Sequence, residues 1–268
     1  MAPAAPAPAG EARPRLPVAR DGLWYWLHGY RRMLAWELTD LRLQLPILAS
    51  VLILQGAGFA LGIGLLFSHI PQAAAAFVVT GIPVVNLITA GLIFEPQIVA
   101  DQRACGSYEF LQSMPAPRSM TALAWYTVAL ITALPAVVLT LAVGVARYHL
   151  HLDITPAVVP AVLAVSLTGV LMGYAVAHAI TVPMVARLVS VSLIFVIFGF
   201  SPVMFPAGQL PGWLAQVNRW LPFGPMATIM RSALAGGMAA GVGRAYLVVA
   251  AWVVISGLIA AWAVGHRR

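Results

Sequence analysis

Three carboxylates, Glu95, Asp101 and Glu109, occur within the polar stretch of residues 95–119. Carboxylate oxygens are the ligands that hard divalent cations prefer, so these side chains could hold a metal ion and support metal-dependent chemistry. They are spread along the stretch without the tight spacing of a metal-binding motif. The stretch therefore permits such chemistry without indicating it.

The other reactive side chains predict no catalytic site. His149 and His151 form an H-x-H pair close to Asp153, but a metal site needs more ligands in fixed geometry, so we expect a solvated loop. Cys105, the single cysteine, has no histidine nearby and is expected to be a reduced thiol. Every basic residue is arginine, and without lysine the phosphate-binding loop of ATPases is impossible. We therefore predict no catalytic residue, no metal and no cofactor in this chain.

The composition excludes a water-soluble protein. Of the 268 residues, 61% are hydrophobic and 9% are charged, whereas soluble domains carry about 25% charged residues. The apolar runs are continuous and roughly 20 residues long, which is typical of membrane helices rather than of alternating barrel strands. We predict an all-α integral membrane protein with a six-span transmembrane domain over 46–268. Its spans are predicted at about 46–67, 73–94, 120–145, 157–180, 188–205 and 245–265, with kinks at Pro83 and Pro135.

Two different segments precede the first span. Residues 1–21 are rich in proline and alanine and are predicted to be a disordered cytoplasmic tail. Residues 22–45 repeat apolar side chains at helical spacing and carry several aromatic residues that favour membrane interfaces. We predict an amphipathic helix in the membrane surface, with packing on a partner protein as the alternative. Its anchoring residues would be Trp24, Trp26, Tyr30 and Trp36.

The interval 199–243 is apolar but broken by several prolines and glycines. If residues 222–243 formed a seventh span, almost no turn would remain before the sixth apolar run, and the carboxyl terminus would lie outside. Interrupted backbone at membrane depth is tolerated where it is buried in protein. We therefore predict a re-entrant helical hairpin on the outer side, between spans five and six.

The arginines predict the orientation, because cytoplasmic loops carry an excess of positive charge. With the amino terminus inside, eleven arginines lie on the inner side and four on the outer side. The inner ones are Arg13, Arg15, Arg20, Arg31, Arg32, Arg42, Arg103, Arg118, Arg187, Arg267 and Arg268, and the outer ones are Arg147, Arg219, Arg231 and Arg244. We predict a multi-pass protein of the cytoplasmic membrane with both termini in the cytoplasm. Because these arginines lie at span ends, we expect no nucleic-acid partner.

The six apolar runs contain no Asp, Glu or Arg, and only His178 could titrate. Ion-coupled transporters and proton pumps place ionisable groups at mid-membrane. We therefore expect the energy for any transport to come from elsewhere, and we expect His178 to be a hydrogen-bonded structural residue.

Pairs of glycines four residues apart recur along the chain. Such spacing lets helices approach closely. We expect packing within this chain from the pairs Gly58 and Gly62, Gly169 and Gly173, and Gly237 and Gly241.

Two spaced patterns resemble a known family. The first runs acidic–Arg–x–x–Gly–x–x–Glu–x–Leu–x–x–x–Pro after the second span, and here it is formed by Asp101, Arg103, Gly106, Glu109, Leu111 and Pro115, followed by Arg118. Gln102, between Asp101 and Arg103, is one departure in spacing. The second pattern is the outer succession of Pro202, Pro206, Pro211, Trp213, Pro222 and Arg231. Together they resemble the membrane subunits (permeases) of type-2 ABC exporters.

The resemblance implies partners and roles. Family members dimerise through their spans and bind two cytosolic ABC ATPase subunits, which hold the ATP and Mg. The surface helix and the first inner loop form the docking platform, so the residues of the first pattern are expected to couple to the ATPase, while the outer hairpin closes the exit. The chain is then expected to be a non-enzymatic permease subunit, in lipid with a second identical or homologous permease. Its substrate would be amphipathic, drug-like or lipid-linked, moving outward.

Two other functions stay open on the residues alone. The first is a membrane enzyme that acts on lipids through the inner-surface carboxylates Glu95, Asp101 and Glu109. The second is a scaffold or immunity protein that transports nothing.

Overall fold

The chain folds into helices joined by short connections. A computed structural model describes residues 22–66, 71–108, 117–180, 182–236 and 241–265, and within these ranges there is no β-strand. The α-helices are α1 (Leu23–Asp40), α2 (Gln44–Leu66), α3 (Gln72–Ile88), α4 (Glu95–Ala104), α5 (Arg118–Tyr148), α6 (Val158–Ala179), α7 (Pro183–Phe200), α8 (Gly212–Asn218), α9 (Phe223–Leu234) and α10 (Val242–Gly265).

Among the residues that the structure describes, six helical segments are long and apolar enough to cross a membrane. The first is α2, and the second is the single continuous segment that runs from the start of α3 to the end of α4. The other four are the helices α5, α6, α7 and α10. The predicted all-α architecture with six candidate spans is confirmed. Helix α1 and the short helices α8 and α9 are not among the candidates, and Pro83 and Pro135 lie inside continuous helices.

The second span is longer than the sequence predicted. A π-helix over Thr89–Phe94 joins α3 to α4, so one helix continues to Ala104 instead of ending near residue 94. The first part of the predicted loop 95–119 is therefore helical. Pro96 has no N–H to donate to the carbonyl four residues earlier, and the π-helix lies immediately before this interruption of the α-helical ladder.

The fifth span is shifted relative to its prediction. The sequence placed it at 188–205, but α7 begins at Pro183 and ends at Phe200. Proline is well tolerated in the first turn, where its missing N–H has no partner to lose, so Pro183 starts the helix rather than preventing it.

Helix α3 is the central element of the fold. Most of its side chains are buried, and it packs against α2, α5, α6 and α9. The π-helix lies against α6 at a contact between glycines. A Cβ atom added at Gly91 would lie 2.5 Å from the Gly169 carbonyl carbon, and one added at Gly173 would overlap the Gly91 carbonyl oxygen. Close packing at Gly169 and Gly173 is thus confirmed.

The other glycine pairs behave differently. A Cβ atom added at Gly58 or Gly62 would meet no atom within 4 Å, so this pair does not pack within the chain and its prediction is wrong. Gly237 lies outside the described residues.

The helix bundle has two distinct ends. At one end, the backbone N–H and hydroxyl of Thr155 both donate to the Ala233 carbonyl oxygen, at 2.9 and 3.1 Å, which joins the loop after α5 to the end of α9. We call this the hairpin end. The other end holds α1, α4 and the starts of α5 and α7, and we call it the α1 end.

Candidate functional site

Helix α1 is fastened to the start of α5. The Trp26 indole Nε1 donates to the Ser119 hydroxyl at 3.2 Å, and the Tyr30 hydroxyl lies 2.7 Å from the Thr127 hydroxyl. At Gly29 the helices approach closely. Two of the predicted interfacial aromatics therefore bond to α5.

The remaining predicted aromatics of α1 differ in exposure. Trp24 is 75% exposed, whereas Trp36 is partly buried. Trp24 is therefore the member of the set that is most available to lipid.

The buried face of α1 contains a carboxyl group. Met33, Glu37 and Leu41 follow one another at four-residue spacing, and all three are buried. Glu37 therefore occupies the centre of an apolar stripe.

Glu37, Asp40, Glu95 and Gln102 form what we call the carboxyl cluster, between α1 and α4. Gln102 Nε2 lies 3.5 Å from both the Glu37 Oε2 and the Asp40 Oδ2 oxygens, as a donor to each. Glu95 is 3% exposed, neither of its oxygens has a hydrogen-bond partner, and the Glu37 carboxylate repels its charge.

Burial, and to a smaller extent the negative charge of Asp40, raises the pKa of Glu37 to about 8, while the Gln102 amide opposes the change. An ionised carboxylate without a partner is costly in a buried site. At neutral pH Glu37 is therefore mostly uncharged.

Glu95 adds an ionisable side chain to the second span. The predicted run 73–94 contains no carboxylate, but the helix continues through Glu95, which is buried inside it. A buried carboxyl group therefore lies at the α1 end of the second span.

Asp101 and Arg103 connect α4 to the turn between α6 and α7. Asp101 forms an ion pair with Arg187 near the start of α7, and both side chains are about half exposed. Arg103 Nη1 donates to the Ile180 carbonyl at 2.9 Å, directly after α6, and its guanidinium lies 4.6 Å from the Tyr108 ring centroid. We call α1, α4 and the α6–α7 turn the platform.

Gly106 ends α4. Its φ is +77°, a left-handed conformation that glycine adopts without steric cost, and its N–H donates to the Arg103 carbonyl at 3.3 Å. This role in the backbone explains why the pattern has glycine here.

Part of the pattern cannot be placed. Glu109, Leu111 and Pro115 lie outside the described residues, and Arg118 is the first residue of α5.

At the hairpin end, Arg231 joins three elements. Its guanidinium donates to the Pro202 carbonyl at 3.4 Å and to the Val203 carbonyl, and it lies 3.4 Å from the Phe77 ring centroid near the start of α3. Asn218 Nδ2 donates to the Phe200 carbonyl at 2.7 Å, at the end of α7. The segment that contains α8 and α9 is thus bonded to spans two and five.

The predicted outer residues fall into two groups. Pro202 and Pro222 are buried with Arg231, whereas the more exposed members are Pro206, Pro211 and Trp213.

The family model described as ABC-2 family transporter protein matches residues 67–262. The chain belongs to this family. It is therefore a transmembrane permease of the ABC transporter type, and the family predicted from the two residue patterns is confirmed. A search of the curated proteins finds no match.

The family match places both patterns in the permease. The matched residues begin just after α2. They include α4 of the platform and the whole segment that contains α8 and α9. Helix α1 and the first span lie outside the match, so their assignment to the permease depends on their contacts with α4 and α5.

The permease does not bring Glu95 and Asp101 together as a metal site. Asp101 is paired with Arg187, whereas Glu95 lies in the carboxyl cluster. In the part of the chain that the structure describes, no group of three or more His, Cys, Asp or Glu side chains could hold a metal ion.

His178 has a structural environment in the permease, as expected. It is buried, its Nδ1 lies 2.8 Å from the Tyr174 carbonyl oxygen, and its ring stacks on the Tyr174 ring. These contacts position the end of α6.

Reversing the charge of Asp101 tests its contact with Arg187. Asp101→Arg is expected to lower the free energy of unfolding by about 1 kcal/mol, because an exposed attraction becomes a repulsion. The double variant D101R/R187D restores the pair and is expected to recover most of the loss. Thermal unfolding of the purified permease in detergent measures both. If the double variant is no more stable than D101R, the two side chains do not interact in the folded protein.

Proposed function

We propose that this chain is the transmembrane subunit of an ATP-driven exporter that moves an amphipathic, drug-like or lipid-linked substrate out across the cytoplasmic membrane. ATP and Mg would be bound and used by two cytosolic ABC ATPase subunits. A second permease, identical or homologous, would complete the transport pathway.

The platform is the observation that carries this proposal. A partner that pushes on α4 pushes directly on the second span, because both belong to one continuous helix at the centre of the bundle. The same motion reaches α7 through Asp101 and Arg187, and it reaches the end of α6 through Arg103. An ATPase docked on the platform could therefore move several spans at once.

Helix α1 would lie in the membrane interface beside the platform. Its largely exposed residues include Leu23 and Trp24, which are apolar and suited to lipid contact. Its bonds to Ser119 and Thr127 would hold it at a fixed depth.

The segment with α8 and α9 would form a re-entrant hairpin that closes the outer exit. Helix α9 has 12 residues, too few to cross the hydrocarbon core of about 30 Å. Its last turn is bonded to neighbouring elements through Arg231 and the Ala233 carbonyl, so its backbone can be accommodated at membrane depth within protein.

The predicted orientation places the platform in the cytoplasm. The excess of arginines on the α1 end and at both termini supports it, since positive charge favours the cytoplasmic side. An ATPase could reach the platform only in this orientation.

An apolar groove supports the class of substrate. It has a volume of about 900 Å³ and lies between α5 and α6, with side chains such as Leu134, Val138 and Val159 along it. A groove of this size and character accommodates the apolar part of a drug-sized molecule or a lipid.

A charge reversal in the first pattern, whose residues are expected to couple the permease to the ATPase, gives the direct test. The permease is co-expressed with candidate ABC ATPase subunits from the same genome, and any complex is purified in detergent. We expect co-purification and an ATPase activity that Glu109→Arg lowers about tenfold or more, because a reversed charge at a docking surface costs several kcal/mol.

Glu109→Asp is the matched control. It keeps the negative charge at the same position and is expected to leave the ATPase activity largely intact. The proposal fails if no ATPase co-purifies, or if E109D lowers the activity as much as E109R does.

A further inference from the structure

A second cavity lies at the hairpin end, between α8, α9 and α10. Its volume is about 700 Å³, and its lining includes Arg219, Arg231 and Arg244. These are three of the four arginines predicted on the outer side, where the positive-inside tendency disfavours them. Their convergence on one cavity calls for a ligand or a structural role.

Arg231 has a structural role that leaves one donor free. It is 6% exposed and bonds to the Pro202 and Val203 carbonyls, but its Nε–H has no hydrogen-bond partner. A buried charged donor without a partner is costly, so an acceptor in the cavity would be stabilised.

Arg219 and Arg244 have no structural role of this kind. Both are exposed, and among the residues that the structure describes neither forms an ion pair. Arg244 lies over the Trp220 ring at 5.9 Å, which orients it without neutralising it.

No carboxylate among the residues that the structure describes lines this cavity. The sequence contains no Asp or Glu after Asp153. Asp153 itself lines the apolar groove, to which α9 contributes Met230 and Leu234, whereas the arginine cavity meets a different face of α9 through Thr228 and Arg231. The cavity is therefore positively charged without an internal counter-ion.

We propose that this cavity binds the phosphate headgroup of an anionic amphipathic molecule. Guanidinium groups form strong charge-assisted hydrogen bonds to phosphate oxygens, and three of them can surround one headgroup. The wall also has apolar side chains, such as Phe77, Leu210 and Val248, for the first part of an attached chain. The inference rests on the proposed function for one point, namely that the bound molecule is amphipathic like the proposed substrate.

Calorimetric titration of the full-length permease, in a neutral maltoside detergent, tests the binding. Three probes are compared: dioctanoyl phosphatidic acid, dioctanoyl phosphatidylcholine with the same tails, and inorganic phosphate. We expect the phosphatidic acid to bind about tenfold or more tightly than the other two, and its affinity to fall as salt is raised.

The double variant R219Q/R244Q is expected to weaken binding of phosphatidic acid about tenfold and to leave phosphatidylcholine unchanged. Both side chains are exposed, so the variant should fold, which size-exclusion chromatography and circular dichroism verify. Arg147→Gln is the matched control, since Arg147 is exposed at the same end but does not line the cavity. It should bind as the wild type does.

Three results would overturn the inference. Equal affinity for the two lipids would show that the phosphate charge is not recognised. An equal loss in R147Q would show general attraction to a basic surface. Inorganic phosphate bound as tightly as the phosphatidic acid would show a site for a free anion rather than an amphiphile.

The failure of this inference can be told apart from failure of the proposed function. The titration needs no ATPase and no transport. If ATPase coupling is found but phosphatidic acid does not bind, the exporter stands and the cavity assignment falls. If phosphatidic acid binds selectively but no ATPase co-purifies, the cavity assignment stands and the proposed exporter function falls.

Discussion

Gly173→Ala is expected to destabilise the permease by about 3 kcal/mol, the upper end of the usual cost of overpacking. A methyl group at this position would overlap the Gly91 carbonyl oxygen in the π-helix, and the backbone has no flexible side chain that could move away. The change should appear as a lower midpoint of thermal unfolding in detergent.

Gly58→Ala is the matched control for Gly173→Ala. It introduces the same methyl group in another span, where no atom lies within 4 Å. Because alanine is the better helix former, the control should be unchanged or more stable by about 0.5–1 kcal/mol. Equal destabilisation by the two substitutions would show that the contact between α6 and the π-helix is not tight.

Stability is expected to fall as the pH rises from about 4.5 to about 8, by a few kcal/mol, because of Glu37. In this interval the unfolded chain releases the Glu37 proton while the folded permease retains it. The contribution is therefore fully favourable below the ordinary pKa of 4.5 and is lost as the pH approaches 8. Thermal unfolding in detergent at pH 5 and pH 8.5 measures the difference.

Two variants test whether Glu37 causes this fall in stability. Glu37→Gln keeps the size and polarity of the side chain but cannot ionise, so the difference between the two pH values should shrink by a few kcal/mol. Asp40→Asn removes a neighbouring negative charge that raises the pKa of Glu37, so the fall in stability should end at a lower pH and be smaller, without disappearing. An unchanged difference in E37Q would show that the group responsible lies elsewhere.

The parts of the fold that follow from local periodicity were predictable. Long apolar runs predicted six spans, since the hydrocarbon core fixes the length of a crossing helix. The spacing of Gly169 and Gly173 indicated close packing, but only the structure shows their partner, Gly91, because a contact between distant segments leaves no local signal.

The site was less predictable for related reasons. Glu37 could have been found, because it lies four residues from Met33 and from Leu41 in one apolar stripe. Arg187 as the partner of Asp101 could not have been found, since 86 residues separate them. The extension of the second span to Ala104 could not be predicted from the apolar run, which ends at residue 94, because the helix continues through the acidic Glu95 and through Pro96.

The burial of the second span has a consequence for biogenesis. Its neighbours α5 and α6 are made after it, and it packs against both along most of its length. During synthesis this helix must first face lipid or the insertion machinery, and its final surroundings are complete only after α9, which follows the fifth span, has been made. Membrane assembly of this permease is therefore not completed in the order in which its helices are translated.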